Sequence, residues 1–274
     1  MTQALTGMPP ARAILALLLA VVTLGACGGT TTDTASTASA SPTGSVSASP
    51  SQTLSGTVTM LAAASLTESF NTLAADFMAA HPGVKIDISY GSSSTLAQQV
   101  AQGADADLFA SAGTKALDQL PEQAKARPTV TIAQNVLEIA TPPNNPRNVT
   151  GLASLADPGT NVVLCAPTVP CGAAADTILG KAGVTANVVS REVDVKATLA
   201  KVALGEADAA IVYHSDVVTS QGKVKGVEIP PEQNTTLAYP LVLLTDNAAA
   251  KAFADFIAGA EGQKVLTKAG FLTP

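Results

Sequence analysis

From residue 58 onward, apolar extended segments and helix-type segments take turns along the chain, and this alternation restricts the architecture more than any other feature. A repeating strand–helix order places helices over sheet faces, so it predicts an α/β fold with mixed, mostly parallel sheets. Residues 58–61 read as a strand, followed by a helix whose Leu66, Phe70, Leu73 and Phe77 share one stripe before the stop signal His81-Pro82-Gly83. Residues 84–89 alternate like a strand, 95–102 form a short helix, 107–111 a third strand and 135–140 a crossing strand. After a Pro- and Asn-rich break the series restarts: strand 161–165, loop 166–172, helix 173–182, strand 187–190, helix 195–204 and strand 209–213. An extended segment, 237–244, precedes two closing helices. Two successive α/β blocks predict two lobes, 56–139 plus 239–274 and 140–238, joined by two crossovers with hinge candidates near Ala140 and Ala238.

Two strand-to-helix junctions carry the chemistry. One runs through Ala62-Ala63-Ala64-Ser65-Leu66-Thr67-Glu68, the other through Tyr90-Gly91-Ser92-Ser93-Ser94-Thr95. Backbone N–H groups at a helix start lack intrahelical partners and carry partial positive charge, so such an end accommodates anions. Neither junction contains Lys or Arg, so an anion there would meet neutral donors only. The spacing Ser65–Glu68 also fits a capping box, with Ser65 as the N-cap.

The N-terminal part reads as an address. Arg12, the 12-residue apolar run 13–24 and the small residues before Cys27 have the form of a secretory signal spanning 1–26. That run is shorter than the roughly 20 apolar residues a membrane span needs. Leu24-Gly25-Ala26-Cys27 resembles a bacterial lipobox, which implies a lipidated Cys27 anchoring the chain to the extracytoplasmic face of the cell membrane; an ordinary cleaved signal is the alternative. Fifteen of residues 28–55 are Ser or Thr, so this stretch lacks the apolar surface to offset its ordering entropy and reads as a tether. Loss of residues 1–26 removes only Arg12, leaving 14 basic against 21 acidic side chains, a net charge of −7. An acidic chain without a basic cluster argues against nucleic acid. The absence of Trp argues against an aromatic sugar-binding surface.

Taken together and in order, Ala62–Thr67, Gly91-Ser-Ser-Ser-Thr-Leu-Ala97, Ala106-Asp-Leu-Phe-Ala-Ser-Ala112, Val169-Pro-Cys-Gly172, Ala210-Ile-Val-Tyr-His-Ser-Asp216 and Ala269-Gly-Phe271 resemble the molybdate-binding proteins of bacterial ABC importers. The resemblance spans residues 57–274. It implies a two-lobed type II periplasmic binding protein fold with a hinged cleft, and no cofactor. The ligand it implies is molybdate or tungstate, and the partners are the membrane permease subunits. It further implies donors from the hydroxyl and N–H of Ser65 and Ser93, the N–H of Cys171 and Val195, and the phenol of Tyr213. A monomer suffices for such a receptor.

An all-donor cavity would reject protonated phosphate, whose O–H finds no acceptor, while sulfate must be refused by size. Cys165 and Cys171 are the thiols left once Cys27 is lipidated. In an oxidising compartment a disulfide is the expected pairing, with two free thiols or a metal site as alternatives. Asp194 and Asp216 are expected to cap or brace, since carboxylates repel an oxyanion. Two His residues make no ligand cluster, and no Gly-x-Ser-x-Gly elbow supports a Ser hydrolase. Sulfate binding, a metal-complex receptor and a ligand-free surface lipoprotein are the remaining readings.

Overall fold

The computed structural model describes residues 54–274; the expected signal peptide, Cys27 and all but the last residues of the expected tether lie outside the described residues. Seventeen regular elements follow in chain order. The first group is β1 (Gly56–Ala63), α1 (Thr67–Ala80), β2 (Val84–Gly91), α2 (Ser93–Ala101), β3 (Leu108–Ala110) and α3 (Glu122–Lys125). The long β4 (Thr129–Thr141) leads to β5 (Val162–Cys165), α4 (Pro170–Ala182), β6 (Val188–Glu192), α5 (Val195–Ala203), β7 (Ala209–Tyr213), α6 (His214–Thr219) and β8 (Lys225–Glu228). The chain closes with β9 (Thr236–Leu243), α7 (Ala248–Ala258) and α8 (Ala260–Lys268).

The strands form one mixed sheet in the order β2-β1-β3-β9-β4-β7-β5-β6, with β8 on β4. Two parallel groups flank an antiparallel centre: β2-β1-β3 on one side and β7-β5-β6 on the other. Strands β5 and β7 are buried at every residue, as parallel strands covered on both faces must be. Edge strand β2 instead alternates buried and exposed and carries Lys85 and Asp87 outward, which discourages pairing with another chain.

β4 links the two groups. Its residues 129–136 pair with β9, while 137–141 pair with β7 and β8. Both sequence-derived hinge candidates, Ala140 and Ala238, therefore lie within paired strands. A bulge between Thr131 and Ala133 shifts the register, the usual way one strand bends to serve two neighbours. The closing helices return to the first group: α7 and α8 pack on α1, with the Phe77 ring 5.2 Å from Phe253 and 5.5 Å from Phe256. Leu272 and Gln134 exchange both backbone hydrogen bonds at 2.8 Å, tying the C-terminal segment to β4.

Two local expectations are corrected. Ser65 is not an N-cap: it lies in a 3-10 turn, Ala64–Leu66, and α1 starts after Leu66 without a side-chain cap. Its hydroxyl is drawn away by Tyr239, and Glu68 by Lys196. The stretch 166–172 is not all loop, because α4 begins at Pro170; proline's fixed φ suits the first helical position.

Candidate binding site at the strand ends

Parallel α/β sheets collect ligands beyond the carboxyl ends of their strands, where helix starts converge. Ser65 follows β1, Ser93 follows β2, Cys171 follows β5, Val195 follows β6 and Tyr213 ends β7. All five line one small cavity, with Gly91, Ala112, Pro170 and Asp194 among its other walls. Cavity-lining residues thus come from both parallel groups. No Lys, Arg or His is among them.

Each wall has a local cause. Helix α2 is capped by Ser92, which accepts from Thr95 N at 3.3 Å and donates to Thr95 Oγ1 at 2.8 Å. Ser94 donates to Thr168 O at 2.9 Å, joining α2 to the loop after β5. Ser93 accepts at Oγ from Ala112 N at 2.9 Å and is 2% exposed. Its own proton is therefore free, whereas Ser92 and Ser94 have used theirs.

In the second group, Pro170 has no N–H, so Cys171 is the first donor of α4. A disulfide joins Cys171 to Cys165, with Cα atoms 5.8 Å apart. Gly172 completes the turn: a Cβ there would stand 2.0 Å from Ala166 O, so only glycine allows the helix start to press this closely on the preceding loop. Asp194 caps α5 through Ala197 N at 2.9 Å, which orients the first turn that contains Val195. Its carboxylate is committed to capping, in line with its expected role.

Tyr213 is 2% exposed, and among the described residues its Oη is buried without a hydrogen-bond partner. Burial, with Tyr239 and Asp216 nearby, holds this phenol well above the ordinary tyrosine range, so it remains a donor at any physiological pH. Asp216 braces the same turn, accepting from Tyr213 N at 3.3 Å. It is fully buried, and the Lys196 ammonium lies 3.0 Å from its Oδ1 as an ion pair. Lys196 also donates to Glu68 Oε2 at 2.7 Å. Burial acts to lower the Lys196 pKa, but the two carboxylates outweigh it and leave the value raised. Burial raises Asp216, with Lys196 pulling the other way. Lys196, next in sequence to Val195, is thus consumed by a bridge from α5 to α1 and α6.

Sequence reasoning missed Lys196, Tyr239 and Asn135. Tyr239 Oη lies 2.9 Å from Ser65 Oγ, and Asn135 Nδ2 donates to Tyr239 Oη at 3.4 Å and to Ser215 Oγ at 2.8 Å. Their one-dimensional signal was a buried-type Asn and a Tyr-Pro inside strand patterns. His214 points elsewhere, its Nδ1 2.6 Å from Glu138 Oε2, in a separate cleft. Among the described residues no group of three or more His, Cys, Asp or Glu could hold a metal ion.

Residues 58–272 match the family model of the bacterial extracellular solute-binding proteins. A molybdate-binding protein of Mycobacterium tuberculosis is 36% identical over 222 residues, covering 79% of this chain and 85% of the relative. The solved substrate-binding domain of a putative molybdenum ABC transporter from Clostridium difficile is 31% identical with a TM-score of 0.61, covering 80% of this chain and 99% of that one. The periplasmic molybdate-binding protein of Azotobacter vinelandii has the same fold at a TM-score of 0.70 and 20% identity, covering 79% and 99%. Together with the mixed sheet, these establish the two-lobed type II binding-protein fold.

Proposed function

The chain belongs to the bacterial extracellular solute-binding proteins, and we propose that it captures molybdate, with tungstate as a second cargo, and hands it to an ABC importer. One observation carries this reading: Ser65, Ser93, Cys171, Val195 and Tyr213 converge on a small cavity whose lining includes no cationic side chain. Hydrogen bonds to a charged acceptor contribute about 1.5–3 kcal/mol each, so several of them offset much of a dianion's dehydration. The molybdate-binding relatives point to the same ligand.

In this reading the Ser65 and Ser93 hydroxyls, the Tyr213 phenol and the N–H groups of Cys171 and Val195 hold the oxide oxygens. Residues 56–139 with 239–274 form one lobe and 140–238 the other, with β4 and β9 as the connections. The ion then favours closure because only the closed form offers it both sets of donors. Lipidated Cys27 and the tether keep a monomer near its permease. The chemistry of this reading is binding, as expected of an extracellular solute-binding protein. Sulfate is the second reading, since a fully ionised tetrahedral anion satisfies the same donors.

Native mass spectrometry of the protein after incubation with equal molybdate, tungstate, sulfate and phosphate tests this. A single adduct of molybdate or tungstate mass is expected; a sulfate adduct would transfer the assignment to sulfate.

A further inference from the structure

The molybdate reading, on which this step rests, requires the cavity serines to donate. A serine hydroxyl has one proton and two lone pairs, so it faces an anion only when that proton is not used elsewhere. For Ser93 the backbone settles the direction, because Ala112 N can only donate to it. Ser65 has no such backbone neighbour. Its partner is Tyr239 Oη at 2.9 Å, and in a hydroxyl pair either group can donate.

Asn135 breaks that symmetry. Its Oδ1 accepts from Val136 N at 3.0 Å, which fixes the amide with Nδ2 toward Ser215 and Tyr239. An amide nitrogen does not accept, so the Tyr239 proton cannot point back at it. The other hydroxyl beside Tyr239, that of Tyr213, has no partner within hydrogen-bond geometry, so the proton goes to Ser65 Oγ and the Ser65 proton is released toward the cavity. Asn135 and Tyr239 are fully buried and Ser65 is 3% exposed, so bulk water does not reset the chain. Burial also raises the Tyr239 phenol far above its ordinary range, which keeps it protonated.

We propose that Asn135 and Tyr239 are positioning residues that fix the direction of a hydrogen-bond chain, Asn135 to Tyr239 to Ser65, and so make Ser65 an obligate donor. The consequence is selectivity. Hydrogen phosphate must place its own O–H against some group, and a Ser65 locked as donor refuses it. A Ser65 free to turn would accept that proton.

The test titrates the protein, Tyr239→Phe, Ser65→Ala and the double variant with molybdate and with inorganic phosphate at neutral pH. Phenylalanine keeps the ring and its edge-on contacts to Tyr213 and Phe271, at 6.0 and 5.2 Å between centroids. Loss of the locked donor is expected to weaken molybdate roughly tenfold and to narrow the molybdate-over-phosphate preference by a similar factor. Because Tyr239 acts through Ser65, its substitution adds less than about twofold in the Ser65→Ala background, by double-mutant logic. An unchanged preference in Tyr239→Phe, or effects that multiply in the double variant, would overturn the proposal. If Tyr239→Phe melts below the assay temperature, Asn135→Leu carries the test: the same narrowing supports the chain and an unchanged preference rejects it. An unmodified protein that leaves molybdate unbound overturns the functional reading, which separates that failure from loss of the Tyr239 effect alone.

Discussion

Ser65 and Ser93, on the β1 and β2 side of the cavity, bring side-chain hydroxyls, whereas Cys171 and Val195, on the β5 and β6 side, stand in first helical turns where the backbone N–H is the available donor. The first side needs neighbours that set proton direction: Ala112 for Ser93, and Tyr239 for Ser65. The second needs neighbours that set backbone position: Pro170, Gly172, the Cys165–Cys171 bridge and the Asp194 cap. Side-chain donors are exchangeable by point substitution, while backbone donors survive it. Tyr213 is the exception on the second side, a phenol held by burial and by the bracing of its own turn.

The largest expected effect strikes the link between the sides. Lys196→Met strips the fully buried Asp216 of its ammonium and frees Glu68. Leaving such a carboxylate unpaired costs about 3–5 kcal/mol, read as a lower denaturant midpoint at pH 8. Burial raises the Asp216 pKa, so the folded variant binds a proton more readily than the unfolded chain, and the loss shrinks as pH falls. A loss that stays constant with pH would show that Asp216 does not depend on Lys196.

Next comes the contrast between donor types. Ser93→Ala removes a hydroxyl and should weaken molybdate by about 1.5–3 kcal/mol in calorimetry. Val195→Ala keeps its N–H, so affinity should stay within about threefold while stability drops by about 1–2 kcal/mol from the lost buried methyls. Equal affinity losses from both would erase the distinction.

The smallest effect lies away from the cavity. The hydrogen bond to Glu138 raises the His214 pKa, with burial opposing it. A raised folded pKa means the stabilisation is complete below the unfolded value, about 6.5, and disappears as pH rises through the folded value. His214 is 41% exposed, so screening keeps the contribution below about 1 kcal/mol. His214→Gln should flatten that part of the stability–pH profile and leave molybdate affinity alone.

The sequence carried the α/β alternation because parallel strands buried on both faces leave continuous apolar runs, such as Ala209–Tyr213. It also carried the five cavity positions, through junction motifs and a family resemblance. The three braces were invisible for a physical reason. Tyr239 reaches Ser65 across 174 positions and Lys196 reaches Glu68 across 128, and no local period encodes such pairs. Ser65 misled for the opposite reason, since capping-box spacing is a local rule and a distant phenol outcompeted it. Residues 170–172 read as loop, although proline is well suited to open a helix.

Diffraction from crystals grown with molybdate, recorded at the molybdenum absorption edge, reaches the central claim most directly. The expected map has one anomalous peak in the cavity, its oxygens within hydrogen-bond distance of O–H and N–H donors from both sides. A peak outside that cavity, or a Lys or Arg nitrogen bonded to the ion, would contradict capture by neutral donors.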